Sequence, residues 1–155
     1  ISIGVVLTNN EGLICCHYYK KSDLPIESEG KSDLYLLMRE TLQLAETIEE
    51  AVARGLQEEF GATGQLQSYI GSITSKFPLR VSRVQVEKTT LYFHAQMIDF
   101  DPTSRDQDEV ESKSAIQWLE PKILHALFLE QGRKYERSDL DESKIIENYI
   151  QYVKN

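Results

Sequence analysis

The stretch Thr47–Gly61, which reads TIEEAVARGLQEEFG, decides how this sequence folds. Its bulky apolar residues recur every four positions, as they do along one face of an α-helix. Thr47 is a favoured N-terminal cap, and Glu50 three residues later completes a capping box. Gly61 suits the left-handed conformation that ends many helices. The sequence therefore predicts a helix over about residues 48–60, with an apolar face formed by Ile48, Val52, Leu56 and Phe60.

Two adjacent carboxylates lie in the last turn of this predicted helix. Glu59 falls within the apolar arc, and Glu58 lies on its flank. A carboxylate at that place is partly desolvated and meets the negative end of the helix dipole. A Lys or Arg partner or a bound divalent cation would stabilise it, whereas a pair of surface glutamates is the ordinary alternative. A second row at four-residue spacing predicts a solvated ladder of ion pairs, formed by Glu46, Glu50, Arg54 and Glu58.

Outward from the helix, β-rich segments alternate with turn residues and predict a sheet. The predicted strands are Ile1–Leu7 and Leu13–Tyr19 as a hairpin, then Leu34–Met38, Leu66–Thr74, Val84–Ile98 and Ser114–Leu119. In Val84–Ile98, apolar residues alternate with Thr90, Tyr92, His94 and Gln96, which predicts one core face and one polar face. A second helix follows Pro121, and an amphipathic helix is predicted over about residues 142–153.

The bulk composition predicts one globular α/β domain over residues 1–155. With 41% hydrophobic and 27% charged residues, the chain has the composition of an ordinary folded protein. Its apolar runs are too short to cross a bilayer, so no membrane partner is expected. The formal net charge is −8 and no basic stripe with aromatic residues occurs, which argues against a nucleic acid polymer as partner.

The cysteine and histidine residues predict no redox, zinc or nucleophilic site. Cys15 and Cys16 are the only cysteines, and as neighbours on a strand they are expected to be small buried residues. This usage favours a reducing compartment, and hence a cytoplasmic location. The three histidines, His17, His94 and His125, are scattered along the chain; His94 could reach a substrate, but a structural role is favoured.

The helix and the segment before it resemble a known signature. The Nudix box has the pattern G-x5-E-x7-R-E-U-x-E-E-x-G-U, where U is a bulky apolar residue, and residues 40–62 follow it at the same spacing. Agreement is found at Glu46, Arg54, Leu56, Glu58, Glu59 and Gly61, Ala62 is a loose match, and Glu40 and Gly55 depart from the pattern. The order of predicted strands and helices also follows the family over nearly the whole chain.

The resemblance implies both a fold and an activity. The implied fold is the Nudix-type α/β/α sandwich with a mixed central sheet. The implied activity is hydrolysis of the pyrophosphate linkage in a nucleoside diphosphate joined to another moiety, with Mg²⁺ or Mn²⁺ as cofactor. Glu58 and Glu59 would bind the metal, while Arg54 and Glu46 would orient and support them. The substrate would be a small nucleotide derivative, and a homodimer, which is common in the family, is an open expectation.

The two departures leave a second reading open. Gly55 stands where the family has a metal-binding glutamate, and Glu40 replaces a glycine whose carbonyl contacts metal. The Glu40 side chain could enter the space vacated at Gly55 and supply the missing carboxylate, or it could be a surface residue on a reshaped loop. Glu109 and Glu111 are the candidates for an acidic ligand outside the box. The alternative function is a Nudix-fold module that binds a ligand with impaired or lost catalysis.

Overall fold

The computed structural model describes residues 1–20, 33–78, 85–108 and 114–155 of the chain. Nearly all of the predicted loop between Lys20 and Asp33 lies outside the described residues. The same holds for Glu109 and Glu111, the two candidate ligands from the predicted acidic loop.

Seven strands and three α-helices make up the described part of the chain. In chain order they are β1 (Ser2–Thr8), β2 (Ile14–Tyr19), β3 (Leu34–Leu36), β4 (Met38–Thr41), α1 (Ile48–Phe60), β5 (Ala62–Pro78), β6 (Gln85–Phe100), β7 (Ala115–Leu119), α2 (Pro121–Tyr135) and α3 (Ser143–Lys154). Two short 3-10 helices, Pro102–Ser104 and Ser138–Leu140, precede β7 and α3.

The seven strands form one mixed sheet around β1. Strand β1 pairs antiparallel with β2 and β4 and parallel with β6. Strand β2 also pairs with β3 and β7, while β5 pairs with β6, all antiparallel. The predicted hairpin is confirmed, since Thr8 lies opposite Ile14 and the Asn9 side chain accepts hydrogen bonds from the turn at Glu11 and Leu13.

Both faces of the sheet are buried beneath helices. Alternate residues of β1 separate into two cores: Ile3, Val5 and Leu7 pack with α1, whereas Val6 packs with α2 and α3. Cys15 and Cys16 divide between the same two cores and are fully buried, as predicted for neighbours on a strand. The predicted α/β/α sandwich with a mixed sheet is therefore confirmed.

Helix α1 has the predicted bounds because both of its ends are fixed locally. Thr47 Oγ1 accepts a hydrogen bond from Glu50 N at 3.1 Å, and Glu50 Oε1 accepts one from Thr47 N at 3.2 Å. Gly61 ends the helix with a φ of 66°, in the left-handed region. The predicted helix after Pro121 and the C-terminal helix are confirmed as α2 and α3. None of the described helices is long and apolar enough to cross a membrane.

Two predictions about strand lengths were wrong. The segment Leu34–Met38 was predicted as one strand, but it is divided between β3, which pairs with β2, and β4, which pairs with β1. Strand β5 spans Ala62–Pro78 and so extends well past the predicted Leu66–Thr74 at both ends, whereas β6 keeps nearly its predicted bounds. Both added ends of β5 are paired with β6, which apolar periodicity does not reveal.

The second face of β6 was predicted to be polar and not part of the core, but it is buried. Tyr92 is 1% exposed and His94 8% exposed, because α2 and α3 cover this face. Two of the buried polar atoms have specific partners: the Tyr92 hydroxyl donates to Glu142, and His94 Nε2 lies 2.8 Å from Thr8 Oγ1. His94 also packs against the Tyr149 ring of α3, so it is a buried structural residue.

The close packing of Gly61 at the C-terminal end of α1 can be tested by alanine substitution. An alanine Cβ at Gly61 would lie 2.0 Å from the Asp101 carbonyl oxygen, whereas one at Gly12, with a φ of 78°, would meet nothing within 4 Å. Gly12→Ala is expected to cost about 1–2 kcal/mol of unfolding free energy from left-handed strain alone. Gly61→Ala should cost clearly more in urea denaturation, and equal losses for the two variants would contradict the close packing of Asp101.

Candidate metal centre

Glu59 is the most deeply buried carboxylate of the predicted signature. Its side chain is 1% exposed, and its Oε1 lies 2.8 Å from Nε2 of His17 on β2. Burial first, and the positive charges of Arg105 and Arg39 second, lower the pKa of His17 to about 3. The imidazole is therefore neutral at pH 7, and the contact is a hydrogen bond from Nε2–H to the carboxylate rather than an ion pair.

His17 links Glu59 to the segment that precedes β7. Its Nδ1 lies 2.5 Å from Ser114 Oγ, and this hydroxyl also accepts a hydrogen bond from the Arg105 guanidinium at 2.9 Å. A serine can accept from Arg105 while donating to Nδ1, which fixes the tautomer that donates to Glu59. Sequence reasoning missed His17 in this role. The usable signal was its position on β2, where it shares a face with buried Cys15.

Arg54 binds several of the remaining glutamates. Its Nε donates to Glu46 Oε2 at 2.8 Å, and its Nη1 donates to Glu40 Oε2 at 3.0 Å and Glu58 Oε2 at 3.4 Å. The exposed fraction of these four side chains is between 10% and 27%. Glu50, predicted to pair with Arg54, closes the capping box instead. The predicted solvated ladder is thus replaced by a half-buried cluster around one guanidinium.

The charges of this cluster are not balanced. Arg54 forms ion pairs with three carboxylates, so negative charge is in excess. The hydrogen bond from Arg54 lowers the pKa of Glu46. By contrast, burial first and the charge of Glu40 second raise the pKa of Glu58. An added cation would therefore stabilise the charged form of Glu58.

Glu40 lies on β4 beside Gly55 and not on a reshaped surface loop. An ideal Cβ on Gly55 would lie 2.7 Å from Glu40 Cγ and 2.7 Å from Met38 Cε. The Glu40 side chain is only 14% exposed, and its backbone is paired opposite Ile3 of β1. The two positions that depart from the box are therefore in direct contact.

The described flanks of the acidic loop lie against the C-terminal end of α1. Asp101 N donates to Gly61 O at 2.8 Å, and Asp106 N donates to Glu58 O at 3.2 Å. On the other side, Arg105 Nη1 donates to Ser114 O at 2.9 Å. Glu109 and Glu111 belong to the segment between these anchors, outside the described residues.

The carboxylates around Arg54 are ligands of the kind that a hard divalent cation prefers, although they do not converge on one metal position. Carboxylate oxygens are the ligands that Mg²⁺ and Mn²⁺ prefer, and the cluster has more negative charge than Arg54 balances. Within residues 1–20, 33–78, 85–108 and 114–155, no three His, Cys, Asp or Glu side chains converge as a metal site. Arg54 lies between Glu40, Glu46 and Glu58, and Glu59 turns to His17.

Two other groups considered from the sequence lie away from this cluster. Burial raises the pKa of both cysteine thiols, that of Cys16 to about 12, so neither is a thiolate at neutral pH. His125 is paired with Glu147 at 2.9 Å between α2 and α3. Of the predicted site residues, the structure brings Glu40, Glu46 and Glu58 together around Arg54, whereas Glu59 pairs with His17.

A mixed sheet between helices, with glutamates and an arginine along the last turns of α1, is the architecture of the Nudix hydrolase class. The family model described as NUDIX domain matches residues 1–139, and the chain belongs to this family. Enzymes of the family hydrolyse pyrophosphate linkages in small nucleotide-derived substrates and generally use divalent metals. No curated protein sequence matches the chain.

Solved structures agree with the fold at low sequence identity. The solution structure of the E. coli ORF135 protein is 14% identical, covers 97% of this chain and 87% of its own, and has a TM-score of 0.59. A Nudix hydrolase from Nitrosomonas europaea is 14% identical with the same coverage and a TM-score of 0.61. A MutT protein from Methanosarcina mazei Go1 is 15% identical, with a TM-score of 0.59, and the match covers 99% of this chain and 94% of that protein.

The geometry around Arg54 predicts that lysine cannot replace it. Lysine keeps the charge but loses the planar fork that reaches Glu46 and Glu40 together. Arg54→Lys is expected to lower the unfolding free energy by roughly 1–2 kcal/mol, the scale of a lost hydrogen bond to a charged group. Arg133→Lys on α2, whose pair with Glu130 is exposed, serves as control and should change stability by less than ~0.5 kcal/mol. Equal urea midpoints for both variants would contradict the clustered geometry.

Proposed function

We propose that this chain is a metal-dependent hydrolase that cleaves the pyrophosphate linkage of a nucleoside diphosphate joined to another moiety. The observation that carries the proposal is the pairing of buried Glu59 with half-buried Glu58 in the last turn of α1. In a chain of the Nudix family, such a pair is well suited to hold Mg²⁺ or Mn²⁺. Glu109 or Glu111 would add a carboxylate from the loop anchored against the same end of α1.

The protein's own groups have distinct tasks in this proposal. Glu58 and Glu59 hold the cation, which supplies charge neutralisation of the phosphates and a lower pKa for the attacking water. Arg54 and Glu46 are positioning residues, because the forked ion pair between them fixes the guanidinium that orients Glu58. His17 is a positioning residue for Glu59, because its neutral imidazole donates to one carboxylate oxygen and limits the rotation of the side chain.

The alternative is a module that binds a nucleotide derivative without efficient turnover. Gly55 favours it, since α1 lacks one carboxylate of the family pattern. It predicts saturable binding of a nucleoside diphosphate derivative with no release of nucleoside monophosphate. A homodimer and a cytoplasmic location stay predictions from the family resemblance and the composition.

Glu59→Gln tests the hydrolase directly because the side chain keeps its shape and can still accept from His17. In a panel of nucleoside diphosphate derivatives with Mg²⁺ or Mn²⁺, wild-type protein should release nucleoside monophosphate from at least one compound. Glu59→Gln should lower kcat by roughly 100-fold or more, since one of the two carboxylates that hold the charge-neutralising cation is lost.

Glu49→Gln is the matched control, because Glu49 is an exposed residue in the first turn of the same helix. It should turn over like the wild type. Absence of turnover by wild-type protein over the whole panel with either metal, together with saturable binding, would establish the non-catalytic module instead.

A further inference from the structure

We propose that Glu40 is an additional ligand of the metal centre, delivered by β4 through the space that Gly55 leaves beside α1. This inference rests on the proposed function, since it concerns the same cation. The two departures from the box then form one exchange between neighbouring elements: the helix lacks a carboxylate at position 55, and the strand supplies one at position 40.

The packing around Gly55 shows that the two positions share one space. Gly55 is buried in the middle of α1, where glycine weakens a helix relative to alanine. The space that a side chain at Gly55 would fill is occupied by Glu40 Cγ and by Cε and Sδ of Met38, which lie 2.7, 2.7 and 2.9 Å from the ideal Cβ. The methionine end is flexible and can move away. The Cγ of Glu40 lies in the middle of its side chain, so any residue larger than glycine displaces the carboxylate.

The direction of Glu40 is fixed by strand register. Met38 and Glu40 alternate with Arg39 along β4, and Glu40 lies opposite Ile3, a residue of the core that packs on α1. Its side chain therefore points to α1, whereas Arg39 points to the other face and reaches Glu142. A one-residue shift of β4 would place arginine against the helix and remove the carboxylate from the cluster.

The Glu40 carboxylate already shares a partner with Glu58. Glu40 Oε2 and Glu58 Oε2 both lie within hydrogen-bond distance of the same atom, Arg54 Nη1, at 3.0 Å and 3.4 Å. In the proposed centre, a divalent cation takes the place of Arg54 Nη1 between these two oxygens, while Arg54 Nε keeps its hydrogen bond to Glu46.

Metal affinity distinguishes a ligand from a residue that only supports Arg54. Mn²⁺ titration followed by the electron paramagnetic resonance signal of free Mn²⁺ needs no substrate, and thermal unfolding without metal reports the structural contribution separately. Glu40→Gln keeps an oxygen for Arg54 and should lower Mn²⁺ affinity by about 10- to 100-fold, the scale found for groups that tune a metal site. Glu58→Gln should cause a comparable loss, and Glu49→Gln should bind Mn²⁺ like the wild type.

The exchange itself is tested by two further variants. Gly55→Glu should lower Tm by on the order of 5 °C, because its Cβ overlaps Glu40 and Met38. The double variant Glu40→Gly with Gly55→Glu should recover most of that Tm and bind Mn²⁺ within a few-fold of the wild type. This pair keeps the inference testable even if Glu40→Gln does not fold, since failure of the double variant to bind Mn²⁺ would overturn the exchange.

The outcomes separate the inference from the proposed function. If wild-type protein binds Mn²⁺, Glu59→Gln loses it, and Glu40→Gln binds like the wild type, then Glu40 is only a partner of Arg54 and the inference fails while the hydrolase stands. If the wild-type protein binds no Mn²⁺ at millimolar concentration, both the metal-dependent hydrolase and this role of Glu40 are overturned.

Discussion

The hydrogen bond between His17 and Glu59 is the interaction on which the site depends. An ionised carboxylate that is 1% exposed would be strongly destabilised without a donor. The neutral imidazole of His17 provides one at 2.8 Å, and Ser114 and Arg105 hold that imidazole in place. This chain of contacts joins α1 to β2 and to both described flanks of the acidic loop. It therefore sets the position of one carboxylate and of the segments that surround it.

Arg54 binds the carboxylates of the second half of the site, but its single positive charge does not balance their negative charges. One guanidinium faces Glu40, Glu46 and Glu58, and the cluster is too buried for water to screen the difference fully. Proteins tolerate such an imbalance where a cation binds for part of the functional cycle. A hard cation requires oxygens within reach, whichever element carries them, so the proposed centre can draw one carboxylate from β4 in place of the one that α1 lacks.

The parts of the structure that follow from local sequence were predictable. Helix α1 was predicted with its correct bounds and caps, because Thr47, Glu50 and Gly61 act within one turn of each end. The burial of Glu59 followed from the same helical wheel. The contact of His17 with Glu59 spans 42 residues and depends on strand pairing, so spacing alone could not reveal it. The second face of β6 was predicted to be polar because it carries residues such as Tyr92 and His94. These residues are stable in the core only through partners such as Glu142 and Thr8, and the sequence does not reveal those contacts. The place of Glu40 depended on the register of β4, which a four-residue strand does not encode by periodicity.

We propose that the end of α1 holds a divalent cation through Glu58 and Glu59. Anomalous diffraction from crystals soaked in Mn²⁺ tests this most directly, since the metal is located without reference to any substrate. A metal held there should give a single strong anomalous peak about 2.2 Å from oxygens of both side chains, the usual distance for Mn²⁺ and carboxylate ligands. An anomalous map without a peak there, with Glu59 still bound to His17 and Arg54 still between Glu40 and Glu58, would contradict it.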